Sequence, residues 1–104
     1  MLYSSYTLGA RGAIAAILTA APGPSVKLWD AVKREDWETA LDLHQRLMPL
    51  WDAIGLDNMP SLCKYAQGLQ GLNAGVARKP TSPATEAQKA AVRSALIGLG
   101  LLNG

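Results

Sequence analysis

The sequence predicts a mainly α protein, about four helices preceded by one short apolar segment of strand length. Three observations carry this. Apolar residues recur at helical spacing from residue 25 onward, start and stop signals bracket those stretches, and Ala, Leu and Gly dominate while Phe is absent. The 104 residues give room for one domain. A chain of that size buries roughly two-thirds of its unfolded surface, enough for a modest core.

Composition narrows the function classes. Hydrophobic residues make up 49% of the chain, which marks it as globular rather than disordered. Ten basic and eight acidic residues are scattered along it for a net charge of +2. That balance gives no reason to expect nucleic acid or an anionic membrane as a partner. No apolar run approaches the ~20 residues of a membrane span. Cys63 is the single cysteine, so no internal disulfide forms, and the usage fits a reducing, cytoplasmic setting. With His44 as the single histidine, a zinc site would need carboxylates or a second chain, and no metal or cofactor is implied.

In chain order, residues 1–8 (MLYSSYTL) read as the tail of an element, and Gly9 and Gly12 permit a tight connection. Ala13–Leu18 is a continuous apolar run that periodicity alone cannot divide between buried strand and buried helix. Flanking glycines and the closing Pro22 and Pro24 favour the strand; the alanine content favours the helix. A third reading takes Ala13–Ala21 as the apolar part of a secretion signal, with Arg11 before it and Thr19-Ala20-Ala21 as a cleavage site. Tyr3, Tyr6, two glycines and a single positive charge in the leading segment argue against that reading.

Pro24 and Ser25 start a short helix over residues 25–33, with Val26, Trp29 and Val32 at helical spacing. Asp36 caps the next helix, which runs to Ile54. Its expected inward stripe is Trp37, Leu41, Met48 and Trp51, widened by Ala40, Leu43, Leu47 and Ile54. Pro49 inside it removes a backbone bond and should kink the last turns. Residues 55–58 break the chain, and Pro60 opens a helix to Leu69 with Leu62, Ala66 and Leu69 inward. Residues 71–83 form an extended linker punctuated by Gly75, Pro80 and Pro83. Thr85 and Gln88 make a capping box for the last helix, with Ala91, Ala95, Leu96 and Leu99 inward and Gly98 and Gly100 ending it.

The chemistry-bearing residues do not assemble into a motif. Gly9-x-x-Gly12 precedes the apolar run, whereas a phosphate loop follows a strand, so it reads as a turn. His44 lies on the apolar stripe between Leu41 and Met48; only tertiary packing could bring Asp30 or Asp57 to it, and it reads as a half-buried packing residue. Cys63 beside Lys64 hints at an activated thiolate but reads as a small core residue. Glu35, Asp36, Glu38 and Asp42 look like a helix start, and no second acidic cluster exists to form an acid–base pair. Trp29, Trp37 and Trp51 follow helical spacing and read as core.

Taken together, residues 8–102 resemble the C-terminal third of the dihydrodipicolinate synthase / N-acetylneuraminate lyase family. Residues 8–18 (LGARGAIAAIL) look like the glycine-rich entry to the family's last barrel strand. His44-Gln45-Arg46-Leu47-Met48-Pro49-Leu50 is similar to the helix bearing the family's RLMPL pattern, which accounts for a proline inside a helix. Pro60, Lys64 and Tyr65 follow in register, then Arg78, Pro80 and Pro83, then the closing Gly100-Leu101-Leu102. Ala15–Thr19 (AAILT) departs from the family's usual sequence after the strand-eight glycine, which leaves the substrate subtype open.

The resemblance implies the last β/α unit of a TIM barrel (residues 1–35) followed by a helical C-terminal extension (36–104). It implies a full-length relative that forms a Schiff base between a strand-six lysine and pyruvate or another 2-oxo acid, as a homo-oligomer. Lys27, Lys33, Lys64, Lys79 and Lys89 all fall on helices or linker, and none matches that lysine, so no catalytic residue is carried over. The expected partners are the missing N-terminal barrel or a second copy of the chain. A lone strand would leave backbone groups unpaired at about 1–3 kcal/mol each if buried, against a total stability of ~5–15 kcal/mol. The apolar run is therefore expected to turn helical, lie on the surface, or pair with another chain. The rival expectation is a free-standing helical interaction module.

Overall fold

A computed structural model describes residues 2–55, 57–72, 75, 77–79 and 81–103. Among them are six helices and no strand: α1 (Leu2–Thr7), α2 (Ala16–Ala20), α3 (Pro22–Lys33), α4 (Trp37–Gly55), α5 (Met59–Leu69) and α6 (Glu86–Gly98). The mainly α class holds, and the four expected helices are α3 to α6. The expected strand over Ala13–Leu18 does not form. Its second half is helical in α2, while Gly12, Ala13 and Ile14 are exposed and their backbone N–H groups find no partner among the described residues. A buried strand would leave many such groups out of water; a helix satisfies its own, and an exposed stretch leaves them to solvent.

Helix α4 is the hub, packing against α1, α3, α5 and α6. Leu28, Leu50, Ile54, Leu62, Val92 and Leu96, drawn from α3 to α6, are enclosed at the centre. Each contributes about 1.5–3 kcal/mol by leaving water. Ser25 is the buried polar residue of this core, and its hydroxyl donates to the Ala21 carbonyl at 2.7 Å.

Local signals set the helix ends. The Thr85–Gln88 capping box forms as expected, Gln88 N–H donating to Thr85 Oγ1 at 3.1 Å and Thr85 N–H to Gln88 Oε1 at 2.9 Å. Asp36 Oδ1 accepts from Thr39 N–H at 3.3 Å at the start of α4. Helix α6 ends with Leu101 N–H on the Leu96 carbonyl and Gly100 N–H on that of Ile97, the pattern that requires a left-handed residue, here Gly100 at φ +76°. Gly9, at φ +100°, closes α1 in the same way, which confirms its reading as a turn. Pro49 lies inside α4, which continues through it for all 19 residues. In the linker, Pro80 lies outside the described residues; Arg78, Lys79 and Thr81–Pro83 are non-helical.

Three inward assignments are corrected. On α4, Trp37, Leu41 and Trp51 are 47%, 43% and 37% exposed, whereas Ala40, Leu47, Leu50 and Ile54 are buried. The helix is apolar over a wide arc, and α3 and α6 select the side one residue round from the expected stripe. On α3, which starts at Pro22 rather than Ser25, Val26 of the expected series is exposed while Leu28 and Ala31 are buried on the side that packs against α4 and α1. On α6, Ala91 is exposed and Val92 takes its place in the core.

Candidate functional site

Two concave features border α5, and they differ in chemistry. The first is an apolar cleft of about 300 Å³ where α1, α2, α4 and the start of α5 meet, lined by Ile14, Ile17, His44, Met48, Trp51 and Met59 among others. Of the α4 stripe expected in the core, Met48 and Trp51 instead border this open cleft. Trp51 packs one face on Gly55, where a Cβ would stand 3.2 Å from the ring. His44 is half-buried with its ring 5.2 Å from that of Tyr3, in keeping with a packing role.

The second is a wider groove of about 840 Å³ between α5, α6 and the chain that joins them. Lys64, Lys79 and Lys89 line it, together with Tyr65 and Thr81. Sequence reasoning saw these lysines only as helix and linker residues. They lie 15 and 10 positions apart along the chain, and tertiary folding brings them to one groove.

The remaining candidates stay separate. Cys63 is buried, its thiol 3.8 Å from the Ala16 carbonyl, and burial pushes its pKa up, the opposite of an activated thiolate. The Asp36 carboxyl is held below the usual carboxylate range, first by the Thr39 side-chain and backbone bonds and then by Arg34, so it behaves as a capped helix start. Trp29 is half-buried and meets Tyr6 edge-on at 4.9 Å, with Lys33 Nζ 4.4 Å from its centroid. No group of three or more metal-binding side chains occurs among the described residues, and no helix there is long and apolar enough to cross a membrane.

The sequence model of the dihydrodipicolinate synthetase family matches residues 1–98. The chain belongs to that family. A 4-hydroxy-tetrahydrodipicolinate synthase of Acidiphilium cryptum is 37% identical over 94 residues, covering 90% of this chain and 32% of that protein. The enzyme of the same name from Bradyrhizobium diazoefficiens is 37% identical over 95 residues, 91% of this chain and 32% of the relative. That of Bartonella quintana is 37% identical over 94 residues, with 90% and 32% covered. The chain thus spans about a third of the length of these relatives. No solved structure gives a significant match. Membership in the dihydrodipicolinate synthetase family agrees with the ordered resemblance over residues 8–102, which rested on five short motifs in register.

Proposed function

We propose that this chain is the C-terminal part of a Schiff-base-forming lyase or synthase acting on pyruvate or another 2-oxo acid, by aldol cleavage, condensation or dehydration. On its own it is inactive. The observation that carries this is family membership combined with coverage of 32% of the relatives' length. The chemistry then belongs to a lysine outside this chain. That lysine condenses with the ketone of the 2-oxo acid, losing water, and the iminium draws electrons from the adjacent carbon. Lys27 and Lys33 are exposed on α3, and neither lines either of the two concave features.

Residues 1–35 would be the remnant of the final barrel β/α unit and 36–104 the helical extension. The partner that completes the site is the N-terminal barrel or a second copy of the chain, in a cytoplasmic homo-oligomer. Support comes from Gly12–Ile14, an exposed stretch beside an apolar cleft whose N–H groups find no partner among the described residues. Borohydride reduction of the chain in the presence of pyruvate tests the reading. Its intact mass is expected to stay unchanged, and a covalent adduct on any lysine overturns it.

A second reading, a free-standing helical interaction module, draws on the closed core: no buried side-chain polar atom lacks a partner among the described residues. Sedimentation with a thermal melt separates the two. A monomer that melts cooperatively supports the module; aggregation or a non-cooperative melt supports the incomplete enzyme.

A further inference from the structure

We propose that the open face of α4 docks one amphipathic helix of a protein partner, a helix that carries a row of Lys or Arg beside its apolar seam. The face has a regular pattern. Trp37, Leu41, His44, Met48, Trp51 and Gly55 follow one another in alternating steps of four and three, the spacing of a heptad seam with Trp37, His44 and Trp51 at d and Leu41, Met48 and Gly55 at a. From Trp37 to Trp51 the row covers about 21 Å of helix. Trp37, Leu41 and Trp51 are exposed and Met48 is half-buried. Single exposed apolar residues are ordinary, whereas a continuous row of them marks an interaction surface.

The rows on either side of the seam differ. Ala40, Leu47 and Ile54, which precede the a positions, are buried in the core. Glu38, Gln45 and Asp52, which follow the d positions, are exposed. Neither Glu38 nor Asp52 is in an ion pair among the described residues. Arg46, the basic side chain of α4, is held by Asp42 at 3.2 Å, and both lie two positions from His44, on the opposite side of the helix. The open flank of the seam is therefore acidic.

That charge selects the occupant. Two copies of α4 packed antiparallel would bring equivalent flanking rows together and set Glu38 of one copy against Asp52 of the other. Packed parallel, each acidic row would face the row that the other copy has already buried. A helix with Lys or Arg at the facing positions neutralises the row in either orientation. At the C-terminal half of the seam, the cleft of about 300 Å³ lined by Met48, Trp51, Ile17 and Met59 offers room for one large apolar side chain of that helix. His44, half-buried at the middle of the seam, places a polar group where it fixes register.

Amide NMR of the isotope-labelled full chain, titrated with synthetic helices of about 20 residues, tests the face. One helix carries Leu at a and d and Lys at e and g; the other carries Glu in place of Lys. Like charge along the flanks keeps either from pairing with itself. The Lys helix is expected to shift Trp37, Leu41, Met48 and Trp51 saturably and to bind at least about tenfold more tightly than the Glu helix, the gap narrowing as salt is raised. Leu41→Gln should weaken its binding about fivefold to tenfold. Ile97→Gln, at an exposed apolar residue of α6, should leave it unchanged. Glu38→Lys combined with Asp52→Lys, both at exposed positions, should reverse the preference. The proposal is overturned if the Lys helix shifts none of these residues, if the two helices bind equally, or if the double charge variant keeps the original preference. It is overturned equally if Ile97→Gln weakens binding as much as Leu41→Gln, or if concentrating the chain alone produces the same shifts, which would assign the face to a second copy.

Discussion

The Gln70 side-chain amide donates to the Ala20 carbonyl at 2.6 Å across fifty residues of sequence. The bond answers a deficit written into the chain. In a continuing helix the Ala20 carbonyl would receive the N–H of residue 24, but Pro24 has none. Gln70, itself anchored on the Ala66 carbonyl at 3.0 Å, supplies the missing donor. This ties α2, five residues and too short to hold alone, to the end of α5.

Gln70→Leu is therefore expected to strand a carbonyl in a fully buried residue and to cost about 1–3 kcal/mol. Urea unfolding measures it. A midpoint equal to that of the parent chain would show that water or a backbone shift satisfies Ala20 instead.

Glu35 is a second point of local conflict. It sits at φ +58° where α3 ends, with Asp36 N–H on the Ala31 carbonyl and its own N–H on that of Val32. Glycine occupies the equivalent position after α1, α5 and α6, at Gly9, Gly71 and Gly100. Glu35→Gly should raise stability by about 0.5–1 kcal/mol, since relief of the left-handed penalty exceeds glycine's extra chain entropy. A lower melting temperature in a calorimeter would contradict this.

Asn58, at φ +62°, holds the approach to α6. Its side-chain amide donates to the Pro83 carbonyl at 3.1 Å and to Gln88 Oε1 at 3.4 Å. Asn58→Gly keeps the backbone angle and removes only the clamp, at about 1 kcal/mol; Asn58→Ala adds the left-handed penalty and should cost about 1–2 kcal/mol more. Hydrogen exchange at residues 85–88 should quicken in both. Unchanged exchange there, with stability lost elsewhere, would remove the clamp from the account.

Asp36 gives a pH dependence of known sign. Its folded pKa lies below the ordinary value because Thr39 and then Arg34 favour the carboxylate. The contribution is present above the unfolded value of about 3.9 and is lost as pH falls through the folded one. The stability gap between the parent and Asp36→Asn should be constant above about pH 5 and narrow as the pH falls from about 5 to about 2.5. A gap constant over that range would mean that a neutral side chain caps α4 as well as the carboxylate does.

Much of the fold was legible because its determinants are local. Pro60 opened a helix, Thr85 and Gln88 formed their reciprocal cap, Gly100 closed the last helix, and Leu62 and Ala66 went inward as spaced. The family was legible too, through short motifs in order. The candidate groove was not, since Lys64, Lys79 and Lys89 become one wall only after α5 and α6 pack.

By itself, then, the sequence determined where most helices begin and end, because capping and breaking act within a turn of chain. Tertiary structure decided which face of α4 is buried and what becomes of Ala13–Leu18. Helix α4 carries apolar residues at both Trp37-Leu41-Met48-Trp51 and Ala40-Leu47-Leu50-Ile54, and periodicity ranks neither; the neighbours in contact choose. The apolar run is helix where Ile17 and Ala20 reach the core and Gln70 completes its backbone bonding, and exposed coil where Ile14 has nothing to pack on.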